Sequence, residues 1–396
     1  MRIALVTETF PPQINGVSRT LEQLARNAVR LGHEILVVRP RYVEKCETAT
    51  IQAPGFRELE LASMPLPFYP EVILPLPPFG GMKQALNSFR PDIVHIATEA
   101  LLGHSALRFC RRKGWPVVSS FHTNFDTYAA HYRLKWAVPL VTRYLRWFHN
   151  LTAATYVPSD SVMRKLSAQG FERLSIWSRG VDTSVFRPRL AERLAFRQRL
   201  EIPATSFVVG HCGRLAPEKN VDYLADVFER FLSRVLHAHL VVVGDGPSRA
   251  AMESKLKAHP GFTRRVHFTG YVTGTRLADM YASMDAFAFA SRTETFGNVL
   301  LEAMATGLPV VALAEGGPSN VVADRQTGRL LAPTSPPAAM ADILAEWSHL
   351  PGTVRRLGET ARTYAESQSW EAVMEGLLHD YERLIAAGSK STANQS

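Results

Sequence analysis

A chain of 396 residues, 46% hydrophobic and 20% charged, is too long for one ordinary domain and has ample apolar material for two cores. No apolar run reaches the ~20 residues of a membrane span, and three scattered cysteines (Cys46, Cys110, Cys212) speak against a metal cluster and for a reducing compartment. The formal charge of +9 is lopsided: residues 1–185 hold 22 Lys+Arg against 14 Asp+Glu, residues 186–396 hold 23 against 22, so an acidic partner is expected for the first half.

In chain order, RIALVTETF reads as a strand, PPQINGV as a loop, SRTLEQLARNAVRLGH as an amphipathic helix and EILVVRP as a buried second strand, which together make a βαβ unit. PDIVHIAT, a helix over 101–113, PVVSSFHT, a long helical region, ATYVPS and LSIWSRGVD continue the alternation. The Pro-rich MPLPFYPEVILPLPPFGG (64–81) reads as a loop, beside an acceptor groove or simply packed. A second series begins near residue 206: SFVVGHCGR, a helix over 220–235, AHLVVVGDG, RVHFTGYV, AFAFAS, PVVAL and GRLLAP. Two consecutive arrays of this kind imply two doubly wound α/β domains, 1–185 and 186–370, facing across a cleft, followed by a helix over 371–387 and a frayed 388–396. With no leader visible in MRIALVTETF, the cytoplasm is the expected location.

Five constellations could carry chemistry. Gly16, where the first strand turns into the first helix, lets backbone N–H groups approach an anion, although an ordinary βα turn reads the same way. In GRLAPEKN (213–220), Arg214 and Lys219 follow a buried strand at a helix start, a placement that suits a diphosphate; taken alone they are also two surface cations. In ETFGNVLLE, Glu294 precedes a helix that opens at Phe296-Gly297-Asn298, and Glu302 lies near its second turn. Eight residues of helical rise span ~12 Å, comparable with the reach of a nucleoside diphosphate sugar, and each carboxylate can accept from vicinal hydroxyls. The plain alternative is two solvent-facing glutamates. His122 ends an apolar strand and could point into the cleft or serve as a structural hydrogen-bonder. Residues 127–159 hold no Asp or Glu but interleave Arg133, Lys135, Arg143 and Arg146 with aromatics that include Trp136 and Trp147; an anionic membrane surface, nucleic acid or a plain aromatic core all fit. VVVGDGPSRA lacks the third glycine of a dinucleotide fingerprint and reads as a helix-entry turn. There is no H-E-x-x-H, C-x-x-C, P-loop or Asp-x-Asp, so no metal site is expected.

Taken together, the glycine of the first loop, GRLAPEK, VGDGP and ETFGNVLLE resemble the retaining glycosyltransferases of family 4 and the GT-B fold, over residues 1 to about 385. TETFPPQINGVSRT, FHTNFDTY, SRGVDTSVF and LPFYPEVILPLP are similar to GDP-mannose-dependent α-mannosyltransferases and to the sulfoquinovosyl- and glucosyl-transferases of glycolipid synthesis. The resemblance implies that Arg214 and Lys219 hold the donor diphosphate and Glu294 the sugar hydroxyls. The backbone at Phe296-Gly297-Asn298 would contact sugar and phosphate, Glu302 the ribose, and Gly16 the phosphates; His122 would lie near the donor sugar. It further implies retention by same-face attack, no cofactor or metal, a last helix crossing back to the first domain, and a hexose, mannose first, passed to a lipid or lipid-linked glycan. The enzyme would be peripheral on an anionic membrane through its N-terminal domain, with no nucleic-acid partner. Glucosyl or sulfoquinovosyl transfer to diacylglycerol, a GT-B nucleotide-sugar epimerase and a non-catalytic sugar- or lipid-binding protein are the alternatives. Two departures from the family pattern are Asn320, where many relatives carry an acidic residue in the donor loop, and Ala100, where glycine is expected.

Overall fold

The computed structural model describes residues 1–13, 15–42, 51–66, 69–122, 138–292, 294 and 296–393. The chain divides into two compact units, Met1–Ser178 with Glu371 onward, and Arg179–Trp370. The N-terminal unit runs β1 (Arg2–Val6), α1 (Gly16–Arg30), β2 (Glu34–Pro40), β3 (Phe56–Leu61), β4 (Ser63–Leu66), β5 (Tyr69–Pro75), α2 (Gly80–Phe89), β6 (Ile93–Ile96), α3 (Leu101–Arg112), β7 (Val117–Ser120), α4 (Val138–His149), β8 (Ala154–Val157), α5 (Asp160–Ala168) and β9 (Leu174–Ile176). Its parallel sheet has the order β3-β2-β1-β6-β7-β8-β9. Helix α1 starts where Asn15 Oδ1 accepts the Ser18 N–H at 2.8 Å, and it buries Leu21, Leu24, Ala25 and Ala28 along one stripe.

The C-terminal unit runs α6 (Leu190–Arg199), β10 (Phe207–Cys212), a 3-10 turn (Pro217–Lys219), α7 (Val221–Arg234), β11 (Ala238–Val243), α8 (Arg249–Lys257), β12 (Val266–Gly270), α9 (Gly274–Ser283), β13 (Ala286–Phe289), α10 (Asn298–Ala305), β14 (Val310–Leu313), α11 (Pro318–Val321), β15 (Gly328–Leu331), α12 (Pro337–His349) and α13 (Pro351–Ser367). Its parallel sheet, β12-β11-β10-β13-β14-β15, has the order of a doubly wound nucleotide-binding sheet, with the reversal between β10 and β13. Alternate strand residues feed opposite faces, as a sheet covered on both sides requires. Val209, Leu240 and Ala288 join Phe228, Phe231 and Trp347 in one core, while Val208, Val241 and Phe287 join Tyr281, Leu300 and Leu301 in the other. Each fully buried aliphatic or aromatic side chain contributes about 1.5–3 kcal/mol of transfer free energy. The last helix, α14 (Trp370–Ala393), belongs from Glu371 onward to the N-terminal unit.

Two stretches differ from the sequence reading. The Pro-rich 64–81 is not simply a loop: β4 and β5 form a separate antiparallel pair, with Pro65 opposite Ile73 and Pro75 opposite Ser63. A two-stranded ladder has only edges, where a residue without an N–H is tolerated. Strand β3, FRELEL, gave no strand signal because Arg57, Glu58 and Glu60 break its apolar pattern; it is the outer strand of its sheet, where such charges belong. Helix α14 runs as far as Ala393, and residues 394–396 lie outside the described residues.

Candidate active site

In the C-terminal unit the sheet's reversal brings two loops together. The first leaves β10 through Gly213-Arg214 and enters α7 through the 3-10 turn that carries Lys219; the second leaves β13 and carries Glu294. Lys219 Nζ donates to Glu294 Oε2 at 2.5 Å, with the two side chains 24% and 25% exposed. A cation and a carboxylate from loops 75 residues apart thus meet at the carboxyl edge between β10 and β13. Arg214 is 68% exposed, its nearest carboxylate Glu218 at 3.8 Å, so its guanidinium is open to a solvent-side anion.

Backbone packing shapes both loops. Leu215 donates its N–H to Asp245 O at 2.9 Å, and Gly213 donates to Val243 O at 3.0 Å, which lays GRLAP along VGDGP. A Cβ at Gly244 would stand 1.9 Å from Gly213 O, so the first glycine of GDG is demanded by close approach. The same turn leads into α8 through the Asp245–Arg249 pair at 2.7 Å, as a helix entry should. Beside β14, Gly317 donates its N–H to Glu294 O at 2.7 Å, and a Cβ there would meet Phe296 O at 2.4 Å. The EGGPSN loop is therefore fitted onto the backbone of Glu294 and Phe296. Asn320 donates to Gly316 O at 3.0 Å and holds its own loop.

Phe296 and Gly297 are buried and Asn298 half-buried at the start of α10, with Gly297 in the left-handed region (φ 89°). Glu302, in the same helix, is only 5% exposed. The Tyr281 hydroxyl donates to its Oε2 at 3.2 Å, and the Thr306 hydroxyl donates to its carbonyl at 2.8 Å. Burial first, then the charges of Cys212 and Glu302, hold the Tyr281 phenol well above its ordinary range. Neither glutamate is a plain solvent-facing carboxylate.

One residue of this region escaped the sequence reading. His211, the penultimate residue of β10, is buried, and its Nδ1 lies 3.1 Å from Ala288 O; Nε2 has no partner among the described residues. Burial pushes its pKa down to about 4, the Ala288 bond opposing and Lys219 assisting, so the ring stays neutral. A histidine inside the otherwise apolar VVGHC was the available signal. Elsewhere in the unit, a cavity of about 440 Å³ opens among Phe207, Met284, Leu308 and Trp347. Phe207, Met284 and Leu308 stand at or just before the amino-terminal ends of β10, β13 and β14, opposite the Lys219–Glu294 edge, and the cavity is no part of this site. Cys110 and Cys212 are buried free thiols, pushed up to about 12 by burial.

In the N-terminal unit Gly16 opens α1 on the surface, and a Cβ there would meet nothing within 4 Å. Internal packing does not demand this glycine. His122, half-buried just past β7, lies 2.8 Å through Nε2 from Ser120 Oγ. At the reversal between β1 and β6, Glu8 accepts the Leu102 N–H at 3.1 Å, and burial raises its carboxyl to about 7, with Glu99 adding to the rise. Ala100 precedes α3 without side-chain capping. On α4, Leu140, Arg143, Tyr144, Arg146 and Trp147 are exposed, with His104 stacked on Tyr144 and Trp147 at 6.3 and 5.6 Å. Arg146 donates to Gln169 O at 3.1 Å. Arg133, Lys135 and Trp136 lie outside the described residues, as does Cys46. Among the described residues no helix is long and apolar enough to cross a membrane, and no group of three or more His, Cys, Asp or Glu could hold a metal ion.

Two doubly wound α/β units, one with charged loops meeting at the reversal of its sheet, define a group-transfer enzyme of the GT-B class. Residues 206–348 match the family model described as glycosyl transferases group 1, and residues 14–185 match glycosyltransferase family 4. Over 96% of both chains the sequence is 36% identical to the GDP-mannose-dependent alpha-mannosyltransferase of Mycobacterium tuberculosis (strain CDC 1551 / Oshkosh). It is 30% identical to the sulfoquinovosyl transferase SQD2 of Arabidopsis thaliana, over 94% of this chain and 71% of that one. The Anabaena protein Alr3699/HepE in complex with UDP has the same fold, with a TM-score of 0.76 at 19% identity over 97% of this chain and 100% of that one. The chain belongs to the family 4 glycosyltransferases.

Proposed function

We propose that this enzyme moves a hexose, mannose in preference, from a nucleotide diphosphate sugar to a lipid or lipid-linked glycan, with retention at the anomeric carbon and without a metal. The observation that carries the reading is the meeting of Lys219 and Glu294 at the reversal point of the C-terminal sheet, the place where doubly wound sheets take their ligands. Lys219 and the exposed Arg214 supply positive charge for a diphosphate, and Glu294 accepts from sugar hydroxyls. The backbone at Phe296-Gly297-Asn298, at the amino end of α10, contacts sugar and phosphate. Glu302 takes the ribose, Gly16 admits the phosphates to the start of α1, and His122 contacts the sugar. The acceptor oxygen bonds to the anomeric carbon on the face the diphosphate leaves. The carbon–phosphate-oxygen bond breaks, and the acceptor proton passes to the departing diphosphate oxygen. Arg214 and Lys219 stabilise the charge that develops there, and preorganised charges of this kind carry much of a transfer rate.

Mannose is favoured because two relatives at 36% and 35% identity are named GDP-mannose-dependent alpha-mannosyltransferases. Glucosyl or sulfoquinovosyl transfer to diacylglycerol is the second reading, favoured by the relatives named sulfoquinovosyl transferase SQD2 and alpha-monoglucosyldiacylglycerol synthase. The exposed Arg143, Arg146, Tyr144 and Trp147 of α4 support docking to an anionic membrane at the cytoplasmic face, with Arg133, Lys135 and Trp136 continuing the basic aromatic sequence. The deciding experiment offers a panel of GDP- and UDP-sugars with a membrane lipid extract and reads nucleotide release and product mass. GDP-mannose consumption in the presence of a chelator, with a lipid gaining one α-linked hexose, is the expected result. Isomerisation of the donor alone would mean an epimerase, and binding without turnover a non-catalytic protein.

A further inference from the structure

Behind His122 lies a chain of buried polar side chains. Tyr381, on α14, places its hydroxyl 2.5 Å from His95 Nδ1; His95 Nε2 is 2.8 Å from Ser120 Oγ; and Ser120 Oγ is 2.8 Å from His122 Nε2. Tyr381, His95 and Ser120 are each 0% exposed. A neutral imidazole has one N–H, a serine one O–H and a tyrosine one O–H; were Ser120 Oγ to accept from both histidines, its own buried proton would have no acceptor among the described residues, so the protons of the chain all run the same way. Burial pushes the His95 pKa down to about 3 and holds the Tyr381 phenol well above its ordinary range, so both are neutral.

Two directions are conceivable. If His122 donated to Ser120, Ser120 would donate to His95 Nε2 and His95 Nδ1–H to Tyr381, whose own proton would then need another acceptor. No other hydrogen bond is found for that hydroxyl among the described residues, and an unmade bond at a fully buried hydroxyl costs about 1–3 kcal/mol. In the opposite direction every proton has a place: Tyr381 O–H to His95 Nδ1, His95 Nε2–H to Ser120 Oγ, Ser120 O–H to His122 Nε2. We propose that Tyr381, His95 and Ser120 are positioning residues forming a one-way relay that locks His122 in its Nδ1–H tautomer, so that it meets the donor sugar as a hydrogen-bond donor. The sugar-facing role of His122 rests on the function proposed above; the tautomer does not. Trp177, with ring centroids 5.4 Å from His95 and 5.8 Å from His122, packs against both rings and limits their rotation. The relay also ties a strand-end histidine to a helix more than 250 residues later in the chain.

The test is a long-range proton–nitrogen correlation spectrum of the histidine-labelled protein, with His122 assigned by loss of its signals in His122→Ala. The wild type is expected to show a protonated Nδ1 and a bare Nε2. Ser120→Ala and Tyr381→Phe should each shift His122 toward the Nε2–H form, and Ser120→Thr, which keeps the hydroxyl, should restore it. Both shifting variants should lower kcat/KM for the nucleotide sugar about fivefold, the scale of one hydrogen bond, and should add nothing in a His122→Ala background. A wild-type Nε2–H tautomer, or a tautomer unmoved by Ser120→Ala, overturns the relay whatever the transfer assay shows. Shifted spectra with unchanged kinetics would overturn the positioning role and leave sugar transfer standing.

Discussion

The two units hold their chemistry by different means. In the C-terminal unit the loops are fitted backbone to backbone, GRLAP on VGDGP and EGG on Glu294 and Phe296, and the ionic side chains Lys219 and Glu294 stand on that frame. In the N-terminal unit the strand ends are held by side chains bonded to side chains: the Tyr381–His95–Ser120–His122 series, and a neighbouring one in which Ser119 meets His149, whose Nε2 lies 3.0 Å from Glu99. A backbone frame leaves no room for a Cβ and fails abruptly; a side-chain network loses one bond at a time. The N-terminal unit should therefore respond to substitution in graded steps and the C-terminal unit in large ones.

The largest effect is expected at the ionic pair. Lys219→Ala or Glu294→Ala should each lower kcat for nucleotide-sugar turnover by about 10²–10³-fold, the scale of removing one preorganised group, with the double variant no worse than the product of the two. Retained turnover in both would remove the C-terminal half of the comparison. Next, Gly244→Ala forces a side chain against Gly213 O and should cost about 3 kcal/mol of stability, measured by denaturant unfolding. A loss below about 1 kcal/mol would mean that the loops part easily and that the frame is not what holds them.

A smaller effect concerns Glu8. Its folded carboxyl titrates at about 7, above its ordinary value of 4.5, so the fold binds this proton more tightly than the unfolded chain does. The associated stability is present below pH 4.5 and is lost as the pH rises to 7 and beyond. Glu8→Gln should flatten that part of the stability profile and leave the variant more stable than wild type at pH 8, by thermal unfolding across the range. A profile identical to wild type would show that Glu8 is not the titrating group. Smallest is the surface effect: Arg143→Gln with Trp147→Ala should weaken binding to anionic vesicles about fivefold and leave nucleotide release in detergent unchanged. Equal binding by the variant would leave α4 without a membrane role.

What could be read in the sequence follows the same division. GRLAPEK and ETFGNVLLE were legible because short motifs at strand ends carry their own placement: a βα series puts both at one edge of one sheet, and Lys219 does meet Glu294. The fold was legible because buried parallel strands such as EILVVRP and AHLVVV are almost wholly apolar. Strand β3 was not, since Arg57, Glu58 and Glu60 break the apolar pattern of this edge strand. The placement of Glu302 against Tyr281 depends on α9 packing beside α10, which no local pattern encodes. Nor could the neighbours of His122 be found: His95 and Tyr381 lie 286 residues apart and meet only after folding. His211 was visible as a lone polar residue in a strand, but its bare nitrogen was not.

The division of the chain also bears on how the protein is made. Arg179–Trp370 is one continuous stretch, whereas the unit that begins at Met1 is finished only by the helix that starts at Trp370 and brings Tyr381 to its core. During synthesis the later-encoded unit is thus the first to have all its parts outside the ribosome. The earlier one waits, its seven-stranded sheet already made, with the socket of its final helix open, and chain growth runs against the usual order in which the leading domain folds first.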